Sequence, residues 1–441
     1  MKFFFQLLLL SLTISVQSQS REASLQAPHF TQTFTTEQYI EDLDQLTQNL
    51  TNKHPRPFAH ISEKDFWTLV KRKKEQVNNK TTYPEFIWMC SEIIASIGCS
   101  HTNLQFFNQE SKVLPIDRMM PLEAQLIEGR LHITNPLINK DRLQVGEEIF
   151  AINGIDIETI KQGVFKHISA DANNPTGKII LFNGFFSFYI PYYLGFPKSY
   201  DILLRTHQNP TPLKQLEDYQ FTRHYLYPSN CQKAYCFEPL DEDKSALLTI
   251  NSFYFGEESA SFYDFLHQNF RSLREQGLQN LIIDLRKNSG GPGTHSAELL
   301  SYIAQSPFTY FNQQTDYGPQ YKSPIPPNEW AFQGKVFLLI GHENGSSANH
   351  FLSLVKQHQW ATLIGAETAG TFTCNDNSHY YRLPNTGISV RNATSTFTTT
   401  ATQFSPLRGI FPDHPVQQTL ADYLKEKDTV LTYTLNLLSQ P

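Results

Sequence analysis

A serine where a helix begins and a pair of glycines where a buried strand ends are the features of this 441-residue sequence best suited to chemistry. The serine lies in Val336-Phe-Leu-Leu-Ile-Gly341, His342-Glu-Asn-Gly-Ser-Ser347-Ala348-Asn-His-Phe351, which reads as a strand, a tight polar turn and a helix starting near Ser347. A serine placed there meets the positive end of the helix dipole and free N–H groups, which stabilise negative charge on or near its oxygen. The same position also suits an ordinary N-cap, a common use of serine. The glycines lie in Asp284-Leu-Arg286-Lys-Asn288-Ser-Gly290-Gly291, where they let the backbone bend with its amides exposed. Amides aimed where charge develops can hold an oxyanion, the requirement of acyl transfer. A plain turn is the alternative reading. No Gly-x-x-x-x-Gly-Lys-Ser/Thr follows, so the turn is not a phosphate loop. Ser347 lies in Gly345-Ser-Ser-Ala-Asn349 rather than Gly-x-Ser-x-Gly, which argues against an esterase of the α/β-hydrolase type.

These features need elements to hold them. After Pro210 the chain alternates strands (246–250, 281–285, 336–340) with helical patterns (259–276, 294–304, 347–357), which predicts an α/β layer with a largely parallel sheet. From Thr36 to Phe107 apolar residues recur at helical spacing: Tyr39, Leu43, Leu46 and Leu50, then Phe66, Leu69 and Val70, then Phe86, Met89, Ile93 and Ile94. His54-Pro55-Arg56-Pro57 ends the first of these helices, and Ser62 or Thr81-Thr82 caps those that follow. Between the two regions run short alternating strands. They lead to Leu143-Gln-Val-Gly146-Glu-Glu-Ile-Phe-Ala-Ile-Asn153-Gly154, where Asn-Gly predicts a hairpin turn. Residues 182–196 are rich in aromatics, fitting either a packed core or one wall of a substrate cleft.

Composition narrows the function classes. A formal charge of −6 without long charge runs gives no electrostatic case for nucleic acid or an anionic membrane surface. Thirty-three Phe and 20 Tyr suit a well-packed globular protein. Met1-Lys2 and the apolar run Phe3–Val16 read as a secretory signal peptide over 1–18, which predicts an extracytoplasmic protein, periplasmic or secreted, with no integral membrane segment after cleavage. In an oxidising compartment Cys231 and Cys236 can pair across a short loop. Cys90 and Cys99 read as buried thiols, and Cys374 stands alone. Neither Cys-x-x-Cys nor His-Glu-x-x-His occurs, so nothing in the sequence calls for a metal or cofactor.

Four segments in order resemble the S41 family of serine peptidases, the C-terminal processing and tricorn-like proteases. They are Asp284 to Gly291, then Ser347-Ala-Asn-His-Phe-Leu352, then Leu363-Ile-Gly365-Ala-Glu-Thr368-Ala-Gly370, and Gly409-Ile-Phe-Pro412-Asp413. The Gly146–Gly154 string resembles the centre of a PDZ domain. The resemblance implies an α/β, ClpP/crotonase-like S41 core over 206–441. Ahead of it would lie an N-terminal helical domain over 19–112 and a PDZ-like domain with an aromatic-rich extension over 113–205. It also implies a polypeptide substrate, Ser347 as nucleophile, and an oxyanion hole from the amides of Gly290 or Gly291 and of Ala348. Members of the Ser-Lys kind carry a lysine just after the Thr-x-Gly turn, where this chain has Thr371 and Phe372. Tricorn-like members use a histidine from the helical part instead. Ile97-Gly-Cys-Ser100-His101-Thr102 matches that pattern, which implies His101 as general base and Ser100 as the residue that orients it.

His342 and His350 are competing candidates for the base. The chain departs from the pattern at two places. His350 stands where a glutamate is usual, and Phe404–Arg408 lacks the glutamate that completes the tricorn-like tetrad, leaving Glu367 or Asp413 as substitutes. The leading expectation is a secreted serine endopeptidase acting on unfolded or C-terminal segments. The departures motivate the alternative, a non-catalytic peptide- or ligand-binding protein on the same scaffold.

Overall fold

The computed structural model describes residue 27 and residues 29–104, 113–218, 225–229, 231–240, 244–256 and 259–438. The expected leader, 1–18, lies outside the described residues. Among those described, no helix is long and apolar enough to cross a membrane.

Six strands form the central sheet, in the order His414–Pro415, Thr362–Gly365, Lys335–Ile340, Asn280–Asp284, Ser245–Ile250, Tyr235–Leu240. The first five are parallel and the last pairs antiparallel at an edge. The near-continuous Val/Leu/Ile runs are explained by burial on both faces. Leu281, Ile283, Val336, Leu338 and Ile340 pack into one core with Phe262, Phe270, Leu299, Phe351 and Leu352 from the helices Ser259–Glu275, Gly293–Ser301 and Ser346–His358. The alternate residues Ile282, Phe337 and Leu339 face a smaller core with Val430 of the helix Thr429–Leu438.

Three helices, Thr36–Lys53, Glu63–Gln76 and Tyr83–Ser96, form the N-terminal unit. Ser62 caps the second through Asp65 N, and Thr82 with Glu85 closes a capping box on the third. Their core is shared with Leu383, Ile388, Val390 and Ala393 from far along the chain. Buried Asp42 accepts from the Asn385 and Thr386 amides at 2.9 Å each.

The intervening segment holds the hairpin Glu123–Ile127/Arg130–Asn135 and a sheet ordered Ile155–Asp156, Ile149–Ile152, Asp201–Leu204, Thr211–Pro212, so its pairing runs past residue 205. Asn153 and Gly154 both take positive φ, 47° and 77°, as a two-residue hairpin turn of this hand requires. The aromatic stretch is core rather than cleft wall: Phe182, Phe186, Tyr189 and Tyr192 are buried in the helices Pro175–Gly184 and Phe186–Leu194. Cys231 and Cys236 form a disulfide, while Cys90, Cys99 and Cys374 are buried free thiols.

Candidate active site

The strand Asn280–Asp284 ends in a turn whose shape is enforced from several sides. Arg286 stays buried by pairing with Asp284 (2.7 and 3.0 Å) and with Asp428 (2.7 and 2.8 Å), which ties the turn to the C-terminal helix. Asn288 accepts from Gly290 N at 2.9 Å and donates to Ile250 O at 3.2 Å. Gly290 and Gly291 have φ of 107° and 148°. A Cβ on Gly290 would lie 2.7 Å from Ser346 Cβ and 3.0 Å from Ser347 N, and one on Gly291 would lie 2.4 Å from the Phe253 carbonyl carbon. Only glycine lets the two loops approach this closely.

Ser347 enters from the next strand, Lys335–Ile340, through a turn organised by Asn344. Asn344 accepts from Gly341 N at 2.8 Å through its side chain and from Gly370 N at 3.0 Å through its carbonyl. Its amide donates to Leu285 O and Asn288 O at 2.5 and 3.0 Å. One buried residue thereby joins the Gly-Gly turn, the serine turn and the Thr368–Gly370 turn. Asn349, two residues after Ser347, secures the last of these by donating to Thr368 Oγ1 at 2.7 Å and to Gly370 O. Ser346 has φ of 49°, a left-handed residue at the helix entrance. The next residue, Ser347, is 2% exposed, and its hydroxyl has no hydrogen-bond partner among the described residues.

A cavity of about 510 Å³ opens over Ser347. Gly290, Gly291, His101, His350, Cys374 and Asp376 line it, and Phe311, Tyr317 and Phe397 add an aromatic wall. His101 reaches it because the residues just after it, Asn103–Leu104, pair antiparallel with Ser389–Asn392, Asn103 lying opposite Arg391. Two stretches far apart in sequence are thus joined by a strand pairing, and His101 and Ser347 share one cavity.

Of the three candidate oxyanion amides, two are engaged. Gly290 N donates to Asn288 Oδ1 at 2.9 Å and Ala348 N to Gly345 O at 3.0 Å. The Gly291 N–H has no partner among the described residues.

His101 Nδ1 lies 3.1 Å from Ser100 Oγ, and Ser100 Oγ lies 2.9 Å from Asp171 Oδ1. On the other side, His101 Nε2 lies 3.5 Å from Asp376 Oδ2. Burial alone would raise the Asp376 carboxyl, but His101, Ser378 and Arg391 hold it below its ordinary value. The acids considered from sequence are elsewhere. Glu367 pairs with Arg408 at 2.6 and 2.8 Å, and Asp413 binds Lys356 and Leu363 N, both at 2.9 Å. Asp376, which faces the imidazole, and Asp171, which reaches it through Ser100, belong to none of the four family-like segments and carry no spacing signal.

The competing histidines differ in place and chemistry. His342 lies in a separate cavity of about 150 Å³ beside Arg286 and Glu343. His350 does line the Ser347 cavity. Burial first, then the neighbouring His101, pushes it down to about 3, so it is a neutral group near pH 7 with little basicity. Its Nε2 lies 3.5 Å from the Cys374 thiol, which burial raises well above the ordinary value and keeps protonated.

Comparisons with known proteins agree with this architecture. Residues 244–416 match Peptidase family S41. The structure of mature CPAF complexed with lactacystin is similar over 91% of this chain and 98% of that one, at 13% identity and a TM-score of 0.63. A peptidase candidate from Parabacteroides merdae is similar over 91% and 97%, at 18% identity and a TM-score of 0.50. At such identities the likeness speaks for the fold. The segment similar to Peptidase family S41, residues 244–416, carries both the Gly-Gly turn and Ser347.

Proposed function

We propose that the protein is a serine endopeptidase of the Ser-His kind, with Ser347 as nucleophile and His101 as general base. The observation that carries this reading is the shared cavity: Ser347, with its unpartnered buried hydroxyl, His101 and Gly291 line the same space. The Ser347 hydroxyl passes its proton to the imidazole as its oxygen attacks the peptide carbonyl carbon. The oxyanion forms beside Gly291 N–H, whose amide is not already used within the fold. The imidazolium then protonates the leaving amine, and water, deprotonated by the same imidazole, releases the acyl group from Ser347. Ser100 orients His101.

The substrate is an extended, unfolded or C-terminal polypeptide segment, because Ser347 is buried beneath a cavity that a single strand enters more readily than a folded surface does. The 113–205 unit acts as a PDZ-like module that captures such a segment by strand addition. The protein works outside the cytoplasm, a reading supported by the apolar leader and by the Cys231–Cys236 disulfide.

A quenched fluorogenic peptide library tests the function. Wild type should cleave it, and Ser347→Ala and His101→Ala should not. Equal cleavage by all three proteins would reject these residues. Peptide binding by wild type without cleavage would leave a binding protein on a peptidase scaffold.

A further inference from the structure

His101 is anchored on its Nδ1 side by hydrogen bonds whose far end lies outside every motif in the sequence. Ser100 gives Asp171 Oδ1 two hydrogen bonds, from its backbone N at 2.8 Å and from its hydroxyl at 2.9 Å, while the same hydroxyl oxygen lies 3.1 Å from His101 Nδ1. The direction of this chain follows from which atoms carry protons. A carboxylate only accepts, so the Ser100 hydroxyl spends its one hydrogen on Asp171. Its oxygen is left to accept, which makes Nδ1 the donor. A neutral imidazole with its proton on Nδ1 carries its lone pair on Nε2.

We propose that Asp171, acting through Ser100, is the positioning residue that fixes the tautomer and plane of His101, so that Nε2 is the basic nitrogen. This rests on the Ser347–His101 reading above and adds the acid which that reading lacks.

The surroundings of Asp171 are built to hold it. Its side chain is buried, and the two residues after it, Ala172 and Asn173, both take left-handed φ, 53° and 56°. Ala172 N donates to Gly98 O at 2.9 Å, and Asn174 Nδ2 donates to Thr368 O and Ala369 O at 3.2 Å each. The strained segment is therefore clamped between the turn that presents His101 and the turn that packs against the Ser347 helix. A Cβ on Gly98 would lie 2.9 Å from His60 Cβ and 3.1 Å from Asn173 Nδ2, so the fit there is close.

The other charged or titratable groups around the imidazole are Asp376 on the Nε2 side, with Arg391 behind it, His350 and Cys374 across the cavity, and the buried Cys99 thiol beside Ser100. His60 stands behind Asp171. Asp376, which faces Nε2 at 3.5 Å, pulls toward the Nε2–H form in the neutral ring and so opposes the Ser100 chain. Its place suits the imidazolium that forms once Ser347 gives up its proton.

The test uses the full chain labelled with ¹⁵N-histidine. In wild type at pH 8, the His101 ring should show the Nδ1–H tautomer. Asp171→Ala removes the acceptor of both Ser100 donors and frees the Ser100 hydroxyl to donate to His101 Nδ1, reversing the chain. It should shift the ring toward the Nε2–H form and lower kcat by ~10²–10⁴-fold, with KM changed by less than about threefold. Ser100→Ala should give a similar loss, and the double variant should be no worse than either single one, as expected of residues acting as one unit. An Nε2–H ring in wild type, an Asp171→Ala enzyme within about threefold of wild-type kcat, or multiplicative losses in the double variant would each overturn the proposal. If Asp171→Ala does not fold, the wild-type tautomer decides. Retained activity in His101→Ala or Ser347→Ala overturns the underlying reading instead, so the two failures are distinguishable.

Discussion

The nucleophile and the base are held in different ways. Ser347 belongs to a compact knot in which Asn288, Asn344 and Asn349 lock three neighbouring loops of one sheet. His101 belongs to the N-terminal unit and is delivered by a two-residue strand pairing and a shared apolar core. The first arrangement is local and rigid by construction. The second depends on two units staying docked. Damage to the sheet loops should therefore harm fold and chemistry together, whereas damage to the docking should loosen the base first.

The sharpest break in that comparison comes from the reacting groups. Ser347→Ala and His101→Ala should each lower kcat by at least ~10⁴-fold while leaving the melting temperature within about 2 °C of wild type. Next, Gly291→Ala should destabilise the core by ~3 kcal/mol or more, since its new Cβ would meet the Phe253 backbone at 2.4 Å; chemical denaturation measures this. At the docking, Asp42→Ala leaves one buried and one half-buried backbone N–H group unpaired. It should cost about 2–4 kcal/mol and lower kcat more than tenfold even where the protein is still folded, as denaturation and turnover on the same sample would show.

The docking also carries a pH signature. The Asp376 carboxyl is depressed in the folded state, so its contribution is fully present above its ordinary value of 3.8 and fades as pH falls through the lower folded value. The stability gap between wild type and Asp376→Asn should thus narrow as pH falls below about 3.8, as read by denaturation midpoints. Smallest of all, Arg408→Ala removes an exposed partner of Glu367. It should change stability by ~1 kcal/mol or less and leave kcat within about twofold, placing that pair outside the chemistry.

How far the sequence reveals the site follows the same division. The Leu/Ile/Val runs, the Gly-Gly turn and the serine-bearing helix start are contiguous, so periodicity and turn chemistry identify them within a residue or two. The helices Thr36–Lys53, Glu63–Gln76 and Tyr83–Ser96 are legible for the same reason, and so is the Asn153-Gly154 turn. Asp171, Asp376 and Asn344 are not. Each acts through partners far away in sequence, and a lone Asp or Asn in a polar stretch looks like any surface residue. The aromatic run 182–196 is ambiguous from sequence because helix packing and a cleft wall ask for the same side chains. Only the neighbours, Leu122, Ile133 and Ile202 among them, settle it as core.

Labelling with a serine-directed fluorophosphonate, followed by peptide mass mapping, tests most directly whether the two regions form one catalytic unit. The arrangement predicts a single adduct on Ser347, absent from Ser347→Ala and formed at least ~10³-fold more slowly in His101→Ala. An adduct on another residue, or equal labelling of wild type and His101→Ala, would contradict it.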